Sequence, residues 1–85
     1  MTDPTPETVW QGTKRRRAHR AVGSKIQAAR HAAGLTQEAA AVRSGISYSL
    51  IIQCENGYHC MTIPMLLALA KTYGTTVSAM LEGLK

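Results

Sequence analysis

Apolar positions along the chain change rhythm several times, and each change falls beside a residue suited to starting or stopping a helix. Val22, Ile26, Ala29 and Ala33 recur at steps of three and four, and the run stops at Gly34, a residue suited to a left-handed C-terminal cap. This predicts a first helix over residues 23–33, which the Arg, Lys and Ala residues upstream could carry toward residue 15. Thr36 is an N-cap for a second helix over 37–43, with Glu38 in its positively polarised first turn and Ala39 where a capping box would place Glu. Ser44-Gly45 ends that helix, Ile46 lies in the turn, Ser47 caps a third helix over 48–55, and Asn56-Gly57 stops it. After a loop from Tyr58 to Met61, Thr62 caps a fourth helix with Pro64 in its first turn, where a missing N–H costs little. Ile63, Leu66, Leu67, Ala70 and Tyr73 outline the buried face of that helix, which ends at Gly74. Val77, Met80, Leu81 and Leu84 outline the face of a last helix over 77–84.

The expected architecture is all-α: a compact five-helix bundle over residues 23–85, preceded by a flexible basic arm over residues 1–22. Pro4, Pro6 and the lack of a helical period mark the start of the arm. Trp10 within it either packs loosely on the domain or anchors a partner.

The third helix carries an apolar excess, Leu50, Ile51 and Ile52 in succession. With Ile51 at 0°, Cys54 falls at about −60° and Glu55 at about 40°, an arc that faces the core. Ile52, Ser49 and Gln53 fall at about 100°, 160° and 200°, an outer arc, and Tyr48 projects from the first turn. Leu50, at about 260°, flanks Cys54 and can be partly covered. Ile52 is expected to remain uncovered, with three readings open: contact with a thymine methyl, tolerated exposure, or contact with a protein partner.

Composition and charge then narrow the class. With 85 residues the chain holds one small domain at most, and its apolar content comes from aliphatic residues, with no Phe and one Trp. The net charge is +5, and residues 14–30 hold Lys14, Arg15, Arg16, Arg17, Arg20, Lys25 and Arg30, while all 5 acids lie outside that window. Such a field attracts a polyanion, most often nucleic acid; a solvated tail that aids solubility is the bland alternative. The 2 cysteines, Cys54 and Cys60, make no disulfide framework, and with His59 they form no visible four-ligand metal set. No secretory signal is recognisable, and the longest apolar run, Met65 to Ala70, falls far short of the roughly 20 residues that span a bilayer. A cytoplasmic protein without membrane partner, cofactor or catalytic constellation is expected.

The segment GLTQEAAAVRSGISYSLIIQCENG, residues 34–57, has the form of a helix-turn-helix: a helix opening Thr-Gln-Glu, a glycine turn, a helix opening Ser-x-Ser and an Asn-Gly stop. It resembles the lambda-repressor/Cro-like (XRE-type) family, with Ala40 the one mismatch, a smaller apolar residue where the family carries Leu or Val. The likeness spans residues 23–84. It implies a regulator of transcription that binds double-stranded DNA, repressor in kind, with helix 48–55 in the major groove. By resemblance Tyr48, Ser49 and Gln53 match base-reading positions, with Ile52 beside them, and Gln37 matches a backbone-contacting glutamine. Lys25, Arg43, Asn56, Tyr58 and His59 are further candidates for the DNA backbone.

Arg30 and Glu55 resemble a family pair that ties the first helix to the end of the third, a charge-assisted contact read here as structural; phosphate binding by Arg30 is the alternative. Family members usually carry polar residues where Leu50 and Ile52 stand, and many supply Lys or Arg after the Asn-Gly stop, where this chain has Tyr58, His59, Cys60 and Met61. The arm residues Lys14, Arg15, Arg16, Arg17 and Arg20 would then supply that charge, along the backbone or in an adjacent groove. A homodimer on a two-fold operator is expected, with Val77, Met80, Leu81 and Leu84 as its candidate surface; for Val77 and Leu81, simple packing against the fourth helix is at least as good a reading. The rival from another class is a protein-interaction module, such as an antitoxin-type subunit, docking a partner on exposed Leu50 and Ile52.

Overall fold

The computed structural model describes residues 15–58 and 61–84, and these form α1 (Arg15–Ala32), α2 (Gln37–Ser44), α3 (Tyr48–Glu55), α4 (Ile63–Thr72) and α5 (Val77–Met80). Among the described residues all regular structure is helical. The helices start where side-chain oxygens meet orphan N–H groups: Thr36, Ser47, Thr62 and Thr76 each accept from the amide three residues on. Gly45, at φ 77°, turns the chain between α2 and α3, and its N–H donates to the carbonyl of Ala41.

The core is a cluster of Ile26, Ala40, Ile51, Leu66, Leu69, Ala70, Tyr73 and Met80, with Val22, Ala29, Leu35, Ile46, Val77 and Leu81 packed around it. Ile26, Ile51 and Leu69 are fully enclosed, each stabilising the fold by roughly 1.5–3 kcal/mol. Ala40 is also fully buried, so the position that departs from the family pattern faces inward and is filled by a small residue.

Four expectations need correction. First, α1 begins at Arg15, so the upstream extension that the sequence allowed is formed and residues 15–22, assigned to the arm, are helical; four arginines and two alanines between 15 and 21 favour that continuation. Second, Ile63 and Leu67 are not part of the buried face of α4: they are 66% and 57% exposed, and Leu69 is buried instead. The buried set Leu66, Leu69, Ala70 and Tyr73 is a narrower stripe than the sequence pattern, with Ile63 and Leu67 on one shoulder. Third, α5 ends at Met80 rather than at residue 84, since Leu81 leaves helical geometry and Gly83 has φ 91°. Met80 is in the core and Val77 and Leu81 pack against it, so much of the apolar surface proposed for dimerisation serves the domain itself. Fourth, Ile52 is half-buried rather than uncovered, because α1 and α2 both pack on the short α3; Leu50 is half-buried too, in line with its place beside Cys54 but not with an exposed docking residue. Lys14, Trp10, His59 and Cys60 lie outside the described residues.

Candidate nucleic-acid interface

Serine capping and the glycine turn set α3 directly after α2, and the two helices pack on each other. The inner face of α3 is closed, with Ile51, Cys54 and Glu55 buried. Burial pushes the Cys54 thiol up to about 11, with the negative charge of Glu55 adding to the effect. A thiol so placed is a small hydrophobe and a poor nucleophile.

Glu55 is the hub behind the helix. Arg30 Nε donates to Glu55 Oε2 at 2.7 Å and Arg30 Nη2 to Oε1 at 3.0 Å, a two-pronged ion pair between α1 and α3. Arg30 Nη1 donates to the carbonyl of Leu35 at 2.9 Å, and Gln37 Nε2 donates to Glu55 Oε1 at 3.0 Å. One buried carboxylate therefore fastens α1 and α2 to the end of α3, and its hydrogen bond is the largest influence holding the Arg30 pKa above its ordinary value. The Tyr73 hydroxyl is buried nearby without a hydrogen-bond partner among the described residues, and burial first, then the Glu55 charge, push it up to about 12.

The seam between α1 and α3 is closer than side chains permit. A β-carbon on Gly23 would overlap the carbonyl oxygen of Cys54 and stand 2.7 Å from that of Glu55, so α1 crosses the carbonyl end of α3 at a residue without a side chain. One turn earlier, the backbone of Arg20 lies against Gly57, where a β-carbon would stand 2.7 Å from Arg20 Cα. The sequence signal for this seam was a glycine inside a strongly helix-forming stretch, which usually has a packing reason.

The outer face of α3 is open. Tyr48, Ser49 and Gln53 are exposed, and Gln53 Nε2 lies 3.4 Å from Ser49 Oγ, a long contact on the surface. Ile52, between them and the domain, is half-buried. Asn56 and Tyr58 are exposed just beyond the helix, and the Tyr58 N–H donates back to the carbonyl of Gln53 at 2.8 Å. Arg43 is exposed in the last turn of α2. Gln37 is half-buried with its amide turned to Glu55, so the first-turn N–H groups of α2 that Thr36 leaves unused are the more available donors for an anion. Lys25 is not on this surface: with Ala28, Ala32 and Glu82 it lines an open groove beside α5, its Nζ against Gly83. Arg17 and Arg20 are exposed on the first turns of α1, and the side chains of Arg15 and Arg16 lie outside the description.

A short capped helix presented outward, braced from behind by a second helix across a glycine turn, defines a helix-turn-helix domain. The model of a family described as a helix-turn-helix domain matches residues 21–82, and the chain belongs to that family, consistent with the lambda-repressor/Cro-like kind. No curated protein and no solved structure matches the chain. Among the described residues no helix is long and apolar enough to cross a membrane, and no cluster of His, Cys, Asp and Glu is placed to hold a metal ion.

Proposed function

We propose that the protein is a sequence-specific regulator of transcription that binds double-stranded DNA, a repressor that inserts α3 into the major groove. The observation that carries this reading is the division of α3 into a buried, ion-paired inner face and an outer face of Tyr48, Ser49 and Gln53 with spare hydrogen-bonding capacity. Gln53 suits the paired donor and acceptor of an adenine edge, Tyr48 and Ser49 suit edges near the helix start, and the free edge of Ile52 suits a thymine methyl. The first-turn N–H groups of α2, with Arg43, Asn56 and Tyr58, suit flanking phosphates.

One such helix reads few bases. A homodimer on two half-sites about one helical turn apart would supply the selectivity of a regulator. Selection of bound duplexes from random sequence, followed by sedimentation of the free and bound protein, tests both parts. A two-fold-symmetric consensus bound by two copies is expected; no enriched site means that sequence-specific reading is wrong.

The rival reading, a protein-docking module, no longer draws support from Leu50 and Ile52. The exposed shoulder of Ile63 and Leu67 on α4 favours it more. A selection experiment with Ile52→Gln separates the two roles for Ile52: a changed base preference at one position supports the methyl contact, whereas an unchanged preference removes it.

A further inference from the structure

The carbonyl end of α3 is electrically wrong for a DNA backbone. It carries the negative pole of the helix dipole, its last turn contains no basic residue, and the one cation behind it, Arg30, is committed to the buried Glu55 carboxylate. Asn56, Gly57 and Tyr58, which follow, add no charge. If α3 lies in the major groove, phosphates pass close to this end, and a cation is needed there.

The structure brings one from a different element. Arg20 is exposed, makes no ion pair among the described residues, and has its backbone packed on Gly57 directly beside exposed Asn56 and Tyr58. Arg17, one turn earlier, is a surface neighbour of Arg20 and is also exposed. Their position is fixed rather than tethered, because the helix that carries them is seated on α3 through Gly23, and Gly23 lies three residues from Arg20 on the adjoining part of the helix surface.

We infer that Arg20, with Arg17, forms a helix-borne phosphate clamp at the C-terminal end of the reading helix, held at a set position by the crossing of α1 over α3. The site takes the phosphodiester backbone of duplex DNA, and it rests on the groove-binding role proposed for α3. It differs from a flexible arm in one respect: its contacts require α1 to be an unbroken helix from the cations to Gly23.

The test uses the full-length chain and a duplex recovered by selection from random sequence, with affinity measured across a series of salt concentrations. Arg17→Ala with Arg20→Ala should flatten the slope of log affinity against log salt by about 2 units, near 0.9 for each lost phosphate contact, and weaken all sequences alike. Ala21→Pro keeps every charge but breaks α1 between the cations and the seam, and it should produce a similar flattening. Ethylation interference should show the same phosphates losing their effect in both variants. Retained melting temperature in the arginine variant separates a clamp from charges that merely stabilise the α3 dipole. An unchanged slope in the arginine variant overturns the clamp; a normal slope in Ala21→Pro with a flattened one in the arginine variant overturns it in favour of a flexible arm. Failure of the wild-type chain to bind duplex DNA in a salt-dependent way instead refutes the groove-binding reading beneath it.

Discussion

The two faces of α3 obey opposite rules over only eight residues. On the inner face Ile51, Cys54 and Glu55 are enclosed, and the one charge among them is bonded to both Arg30 and Gln37. On the outer face Tyr48, Ser49 and Gln53 meet water, and the contact between Gln53 Nε2 and Ser49 Oγ, at 3.4 Å, is a long one. A polar group that is fully bonded inside the protein fixes geometry, and one left with spare capacity at the surface can recognise something else. The contrast makes the inner face the source of rigidity and, under the proposed groove-binding role, leaves the outer face to supply selectivity.

That division is most exposed to attack at Glu55. Glu55→Ala leaves the Arg30 guanidinium buried and unpaired, and should cost about 3–5 kcal/mol, a large share of what a domain of this size possesses. Thermal unfolding followed by circular dichroism should show the midpoint collapsing; a shift of only a few degrees means that the hub is not what holds α3.

Gly23→Ala comes next. Alanine is the better helix former by about 1 kcal/mol, so isolated propensity predicts a gain. The overlap with backbone carbonyls that no rotamer can relieve predicts instead a net loss of about 1–3 kcal/mol by chemical denaturation. The sign decides between the two.

On the outer face the effects should move from stability to binding. Gln53→Ala should change stability by less than about 0.5 kcal/mol while costing about 1–3 kcal/mol of discrimination at one base pair of the selected site. Comparable losses at every sequence would make Gln53 a backbone contact and blur the contrast between the faces.

The smallest effect concerns pH. The Cys54 thiol is pushed up to about 11 and the Tyr73 phenol up to about 12, both by burial. In the unfolded chain these groups ionise at about 9 and 10. Because their folded values are raised, their contribution to stability is complete below the unfolded values and is lost as pH rises toward the folded ones. The domain should lose about 1–2 kcal/mol by pH 10, and Cys54→Ala should show a shallower decline. A stability profile that is flat from pH 8 to pH 10.5 contradicts the burial of the thiol.

Local features were legible in the sequence because they depend on a few consecutive residues. Thr36, Ser47 and Thr62 cap their helices, and Tyr48–Glu55 has the bounds expected of it. What failed depended on neighbours distant along the chain. Ile63 and Leu67 satisfied a helical period as well as Leu66 did, and only the narrow contact of α4 with the rest of the bundle left them outside. The wheel placed Ile52 outward correctly in angle, but it treats α3 as bare, whereas α1 and α2 cover its shoulders. In the sequence Gly23 stands as no more than the start of the first helix, and the engagement of Gln37 by Glu55 left no mark in either residue's local sequence. Of the candidate interface, the outward placement of Tyr48, Ser49 and Gln53 was readable, while the fixed placement of Arg20 beside Gly57 required the tertiary crossing.

The proposed division of labour has the outer face of α3 read duplex DNA while the inner face only supports it. Its most direct test compares affinity for a selected duplex and a mixed-sequence duplex between 50 and 200 mM salt, for the wild type and for a variant carrying Tyr48→Ala, Ser49→Ala and Gln53→Ala. A steep linear fall of log affinity with log salt is expected in both proteins, as several phosphate contacts require, with a preference for the selected duplex that only the wild type retains. Salt-independent binding, or a sequence preference that survives the triple substitution with its fold intact, would contradict it.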